Sequence, residues 1–225
     1  MKIFYTDQFV LPLPPGHRFP MGKYGELRER VTRASWLTRD MLHEPHAATD
    51  DALLRVHCAD YVSRMQSGKL DSKAMRRIGF PWTVEMVERS RRSSGATIEA
   101  SFTALAEGCG VNLAGGTHHA FRDFGEGFCV FNDSIVAARA LQASGRVSRV
   151  AIIDCDVHQG NGTASIARDD PSIFTFSMHG ANNFPFQKET SDLDIELDDS
   201  TGDNVYLQAL ARGVAETLER AKPEF

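Results

Sequence analysis

Val150-Ala151-Ile152-Ile153-Asp154-Cys155-Asp156-Val157-His158 decides the fold. Residues 148–155 read as a strand, because the continuous apolar run Val-Ala-Ile-Ile is typical of a strand buried on both faces of a sheet. Strand alternation then puts Asp154, Asp156 and His158 on one side and Cys155 and Val157 on the other. Three polar groups on one face of a buried strand end are costly unless they are paired or hold a metal. Carboxylate plus imidazole is a donor set suited to zinc or a similar divalent ion. The competing reading is a strand end with solvated polar residues, and the apolar strand before it speaks against that. Gln159-Gly160-Asn161-Gly162 follows as a flexible turn into a helix start.

Working outward, the second half of the chain alternates. Residues 110–114 form a short strand ended by Gly115-Gly116, residues 132–143 a helix and residues 163–168 a short helix. Residues 172–178 form a strand, residues 193–197 an edge strand, and residues 203–221 a closing helix with apolar Val205, Leu207, Leu210, Val214 and Leu218. Strand and helix in turn imply right-handed βαβ units, hence an α/β chain with a mostly parallel sheet flanked by helices. Ligands in such sheets sit beyond the carboxyl ends of the strands, where the polar clusters lie. In the first half, residues 2–6 read as an opening strand and residues 12–20, with four of the nine prolines, as a surface loop. Helical spacing covers residues 22–32, 50–55 (with Thr49 as N-cap) and 58–66. Residues 79–82 read as a loop with two exposed aromatics, and residues 83–107 as a long helix that Gly95 is the residue to break.

Two further clusters follow strand ends. Gly115-Gly116-Thr117-His118-His119 combines glycines that allow a sharp turn with adjacent imidazoles able to serve as a general base and its electrostatic partner. A His-His pair alone is a weak signal, and its position before the Asp-x-Asp-x-His run gives it weight. Gly125-Glu126-Gly127-Phe128-Cys129-Val130-Phe131-Asn132-Asp133 reads either as the wall of a narrow channel or as a loop packed by Phe128 and Phe131.

Composition excludes several classes. With 42% hydrophobic and 24% charged residues the chain is globular, and a net charge of −5 over 225 residues gives no basic character for direct nucleic-acid binding. Local basic runs, Met75-Arg76-Arg77 and Arg89-Ser90-Arg91-Arg92, read as solvated helix faces. The opening Met1-Lys2-Ile3-Phe4-Tyr5 reaches polar Thr6-Asp7-Gln8 too soon for a signal peptide. No apolar run approaches the roughly 18 residues of a membrane span. The four cysteines, Cys58, Cys109, Cys129 and Cys155, are far apart. They read as buried small hydrophobes in a reducing, cytoplasmic compartment, against both a disulfide framework and a thiolate zinc site.

Taken together, Gly115-Gly116-Thr117-His118-His119-Ala120, Gly127-Phe128-Cys129 and Asp154-Cys155-Asp156-Val157-His158-Gln159-Gly160-Asn161-Gly162 resemble the histone deacetylase family within the three-layer arginase–deacetylase fold. Upstream, Val56-His57-Cys58-Ala59-Asp60-Tyr61-Val62 is similar to that family's Val-His-x-x-x-Tyr-Val signature. The resemblance covers essentially the whole chain as one domain and looks closest to the class IV and bacterial branch. It implies a zinc-dependent deacetylase acting on an acylated lysine peptide or acylated small amine. Asp156 and His158 match zinc ligands, His119 the general base, and His118 its neighbour. Asp154 matches the carboxylate that orients that neighbour, and Asn161 a residue that orients the base. Gly127 and Phe128 match one wall of the acyl-lysine channel and Phe184 the opposite wall. A structural monovalent cation, K+, falls to Asp154, Asp156, His158, Ser177 and Met178.

The sequence departs from the family in one respect. A catalytic zinc wants three protein ligands and an open position, and the family takes its third from an aspartate after a later strand. Its carbonyl-polarising tyrosine sits in a Gly-Gly-Tyr turn. None of Tyr5, Tyr24, Tyr61 or Tyr206 follows a Gly-Gly pair, and Asp192, Asp194, Asp198 and Asp199 read as edge strand and turn. The expectation is therefore a chain truncated at its C-terminal side that alone binds zinc weakly. An arginase-like two-metal hydrolase and a non-catalytic binding module are the alternatives.

Overall fold

Strand β5 (Ile173–Gly180) shows why the chain folds as it does. Phe174, Phe176 and Met178 alternate onto one face, where they pack against Ala209, Leu210 and Val214 of helix α8 (Asp203–Ala221). Thr175, Ser177 and His179 lie on the other face and are all buried. In the computed structural model, which describes residues 1–9 and 11–225, the chain divides into two compact units, residues 1–141 and 142–225.

The first unit carries strands β1 (Lys2–Phe4), β2 (Leu42–His43) and β3 (Gly110–Asn112) in a parallel sheet of order β2-β1-β3. Around it run α1 (Lys23–Thr32), α2 (Asp50–Leu54), α3 (Ala59–Gln66), α4 (Ser72–Ile78) and the long α5 (Val84–Glu107). Thr49 caps α2 by accepting from Ala52 N, and Thr83 caps α5 by accepting from Met86 N. Phe4 packs on Ala96 and Ala100 of α5. Gly95 does not break that helix. It admits the segment before α2, because a Cβ there would lie 1.9 Å from the carbonyl oxygen of His46. Helix α6 (Asp133–Ala143) follows.

The second unit is a parallel sheet of order β4-β5-β6, with β4 (Val150–Asp154) and β6 (Leu193–Leu197) flanking β5, α7 (Asn161–Ala167) and α8. Strand β6 is an edge strand, as its alternation predicts. The parallel α/β architecture agrees with the sequence, while the hydrogen-bonded strands form two three-stranded sheets, one per unit.

Several expectations are corrected. Strand β4 is not buried on both faces: Ile153 is 40% exposed. Ala151 N–H of β4 donates to the carbonyl of Phe225, and the carbonyl of Arg149, just before the strand, accepts from Glu224 and Phe225 N–H. In α8 the contact stripe runs through Tyr206, Ala209, Leu210, Gly213 and Val214, whereas Val205, Leu207 and Leu218 are exposed. Only Cys129 of the four cysteines is buried; Cys109 and Cys155 are exposed. Phe80 is buried and Trp82 half-buried, its Nε1 donating to the carbonyl of Met65 at 2.7 Å. Arg76 and Arg77 are solvated on α4, but Arg89 is buried, Arg91 donates to the Ala48 carbonyl and Arg92 to that of Pro45. Among the described residues no helix is long and apolar enough to cross a membrane.

Candidate active site

In the first unit the loop after β3 carries His118 and His119, whose ring centroids lie 4.1 Å apart. Both are buried, at 8% and 4% exposure. Their loop is fastened by Asp133, the first residue of α6, which is 1% exposed. Thr117 N–H donates to its Oδ1 at 2.8 Å and Gly116 N–H to its Oδ2 at 3.1 Å. The Thr97 hydroxyl of α5 donates to Oδ2 at 2.6 Å. A carboxylate this deep is tolerable only because hydrogen-bond donors replace its water. Sequence reasoning quoted Asp133 without giving it a role; an Asp opening a helix just after an aromatic run is the signal that could have found it.

The Gly127-Phe128 segment is held in a similar way. Gly127 N–H donates to the carbonyl of Arg77 and Phe128 N–H to that of Ile78, both at the end of α4. Phe128 takes φ +67°, a left-handed conformation that bulky residues rarely adopt. Gly79 (φ +87°) is where that ring needs room, since a Cβ there would lie 2.8 Å from Phe128 Cε1. The Phe128 ring is flanked by Phe19 and Phe80, with centroids 5.0 and 5.2 Å away.

The Val-His-x-x-x-Tyr-Val stretch serves the same segment. His57 Nδ1–H donates to the Phe121 carbonyl at 3.0 Å, and its Nε2 accepts from Asn132 N–H at 3.0 Å, which fixes a neutral tautomer. Burial pushes its pKa down to about 4. Tyr61 donates to the Val130 carbonyl at 2.8 Å, and burial pushes its phenol up. Both buried residues thus lock the backbone that follows Phe128.

In the second unit β4 ends at Asp154, and residues 155–158 bend rather than continue the strand. The expected alternation through His158 is therefore replaced by a turn held by its own polar groups. Asp156 N–H donates to Asp154 Oδ1 at 3.0 Å, and His158 N–H donates to Asp156 Oδ1 at 2.8 Å. His158 Nδ1 lies 2.9 Å from the same oxygen. Carboxylate and imidazole are donor types that zinc takes, so the chemistry of this pair fits that ion. Among the described residues no group of three His, Cys, Asp or Glu side chains is arranged to hold a metal. Asp154 aligns with Ser177 across the β4–β5 ladder. Ser177 and Met178 are both buried, and Gly160 N–H reaches the Ser177 hydroxyl at 3.4 Å. Asn161 is buried at the start of α7, its Oδ1 accepting from Gly162 N–H at 3.0 Å.

Phe184 precedes a cis peptide bond to Pro185, and its ring centroid lies 6.3 Å from that of His158. Two residues missed in the sequence hold this region. Lys188 donates to the carbonyls of Ala181, Asn183 and Pro185 at 3.1, 2.7 and 2.7 Å. Buried Gln159 donates to the Glu189 carbonyl and to Asp194, and accepts from Glu189 N–H. Asp192 accepts from Thr175 N–H at 2.8 Å. Asp192 and Asp194 therefore serve the loop and strand around them.

The chain is similar to known proteins. The chain is 43% identical over 222 residues to an uncharacterized protein of Picosynechococcus, covering 99% of this chain and 74% of that one. It is 29% identical to a histone deacetylase-like amidohydrolase of Pseudomonas aeruginosa and 28% identical to histone deacetylase 2 of Arabidopsis thaliana. It spans 60% and 61% of their lengths, while 95% and 100% of this chain is matched. Among solved structures, a histone deacetylase homologue from Aquifex aeolicus superposes with a TM-score of 0.83 at 23% identity, over 99% of this chain and 66% of that one. The histone deacetylase domain pattern matches residues 17–225, a span that includes both histidines, the Gly-Phe turn and the Asp-x-Asp-x-His run. On that match the chain belongs to the histone deacetylase family.

Proposed function

We propose that this chain provides most of a zinc-dependent deacetylase site that hydrolyses the amide of an acylated lysine or a related acylated amine. The observation that carries it is the 2.9 Å approach of His158 Nδ1 to Asp156 Oδ1 at the carboxyl end of a parallel strand. Zinc held by Asp156 and His158 would supply Lewis-acid polarisation of the amide carbonyl. His119 takes the proton of the attacking water, and protonated histidine of the His118–His119 pair returns one to the leaving amine. Asp154 orients His118. Asn161 stands where the family places a residue that orients the base, and as an amide it carries no charge. Gly127 and Phe128 match one wall of the family's acyl-lysine channel and Phe184 the opposite wall, and walls of that kind act by positioning. Asp154, Asp156, His158, Ser177 and Met178 would hold a structural K+. A solved histone deacetylase homologue is complexed with SAHA.

Two donors are fewer than the three protein ligands a catalytic zinc takes. Residues 1–225 alone therefore bind zinc weakly and turn over slowly. The test is hydrolysis of a fluorogenic acetyl-lysine peptide with and without added zinc. Slow, zinc-dependent turnover that disappears in His119→Ala supports the reading. Turnover at full family rates, or turnover indifferent to zinc and to His119→Ala, overturns it.

A further inference from the structure

Arg89, on α5, is only 7% exposed, yet its guanidinium makes no hydrogen bond or ion pair among the described residues, and its Nη2 is a buried orphan. Its one recorded contact is with Tyr24, whose ring centroid lies 4.5 Å from the guanidinium carbon. A buried cation without a counter-anion is expensive and persists where something else supplies the charge. Arg89 lines a cavity of about 430 Å³ in the first unit, away from the histidine loop in sequence, together with Asp7, Phe9, Phe19 and Tyr24.

The second orphan in the same cavity is Asp7. Its Oδ2 pairs with Arg28 at 2.9 Å, while its Oδ1 is buried without a partner. Arg28 neutralises Asp7, and Lys23 sits 4.7 Å from the Phe19 ring centroid and 5.1 Å from that of Tyr24. The pocket walls are therefore aromatic and apolar, with an excess of positive charge. One donor-rich cation and one acceptor oxygen lack partners.

We propose that this pocket binds a small organic acid with an apolar body and a hydroxyl or amine beside its carboxylate. The carboxylate pairs with Arg89, the neighbouring donor satisfies Asp7 Oδ1, and the body lies on Phe19 and Tyr24. The volume suits a ligand of about a dozen heavy atoms and lies within the range of small-molecule sites. None of the catalytic assignments enters this reading, so it stands or falls independently of the deacetylase proposal.

The experiment is a thermal-shift and calorimetric titration of the chain with three probes: 3-phenyllactate, 3-phenylpropanoate and the neutral amide of 3-phenyllactate. The expected order is phenyllactate tighter than phenylpropanoate by severalfold, with the amide at least tenfold weaker than phenyllactate. Arg89→Met is expected to lose binding of both acids at least tenfold while melting no lower than the parent chain, because an unpaired buried charge has been removed. Binding of the amide as tight as that of the acids, no binding of either acid, or unchanged binding in Arg89→Met overturns the proposal. So does a large fall in the melting temperature of Arg89→Met, which would make the guanidinium a structural group. Equal affinity for the two acids removes Asp7 from the site and overturns the proposal as stated.

Discussion

The two loops that carry the candidate chemistry are built on opposite principles. The His118–His119 loop is buried and fastened by the carboxyl group of Asp133, which accepts from two backbone amides and a hydroxyl. The Asp156–His158 turn has side chains 52% and 41% exposed and carries hydrogen bonds among its own residues. Gln159, which follows the turn in sequence, bonds through its amide to Glu189 and Asp194. A proposed general base needs a fixed position, which burial supplies. Metal donors need lone pairs left open to the ion, which partial exposure allows.

This contrast breaks most sharply at Asp133. In Asp133→Ala, the Gly116 and Thr117 amides and the Thr97 hydroxyl lose their acceptor in a buried place, and the expected loss is about 4 kcal/mol in urea unfolding. A loss below about 1 kcal/mol would show that the loop does not depend on the carboxylate.

A pH profile probes the same unit through His57. Its folded pKa of about 4 lies below the usual 6.5, so the unfolded chain binds the proton first. Stability is complete above about pH 6.5, falls as pH drops from there toward 4, and levels off below. The gap amounts to about 3 kcal/mol. Unfolding midpoints of His57→Phe against pH should lack this segment of the slope; an unchanged profile would contradict the neutral, buried assignment.

The second unit should yield more cheaply. Gln159→Leu removes three hydrogen bonds to the 189–194 segment and is expected to cost about 2 kcal/mol. Hydrogen exchange should show residues 181–189 opening while the Gly115–His119 loop stays protected. The smallest effect is Tyr61→Phe, which deletes the hydrogen bond to the Val130 carbonyl and should cost about 1 kcal/mol, with no change in the pH profile.

The sequence made legible whatever has a long period or a local cap. The helix at 83–107, the cap at Thr49 and the edge strand at 193–197 all appear where their patterns put them. Strand β2 was missed because two residues carry no period, and α4 was read only as a solvated helix face at Met75-Arg76-Arg77, without its bounds. The signal for α4 was present: Asp71 accepts from Ala74 N–H, and Gly79 closes the helix in the left-handed conformation. The Arg89–Arg92 run misled for a different reason. Its partners are backbone carbonyls of a segment some 45 residues away, and no local pattern announces them. Within the candidate site, motif residues were readable. The residues that hold them, Asp133, Gln159 and Lys188, act through backbone atoms distant in sequence and carry no motif of their own.

The central claim is that Asp156 and His158 are donors to one metal ion. Titration with cobalt(II), followed by its visible absorption, tests it most directly. A single weak site whose bands vanish in both Asp156→Ala and His158→Ala, and persist in Gln159→Leu, is the predicted result. Bands unchanged by either donor substitution, or no cobalt bound at all, would contradict it.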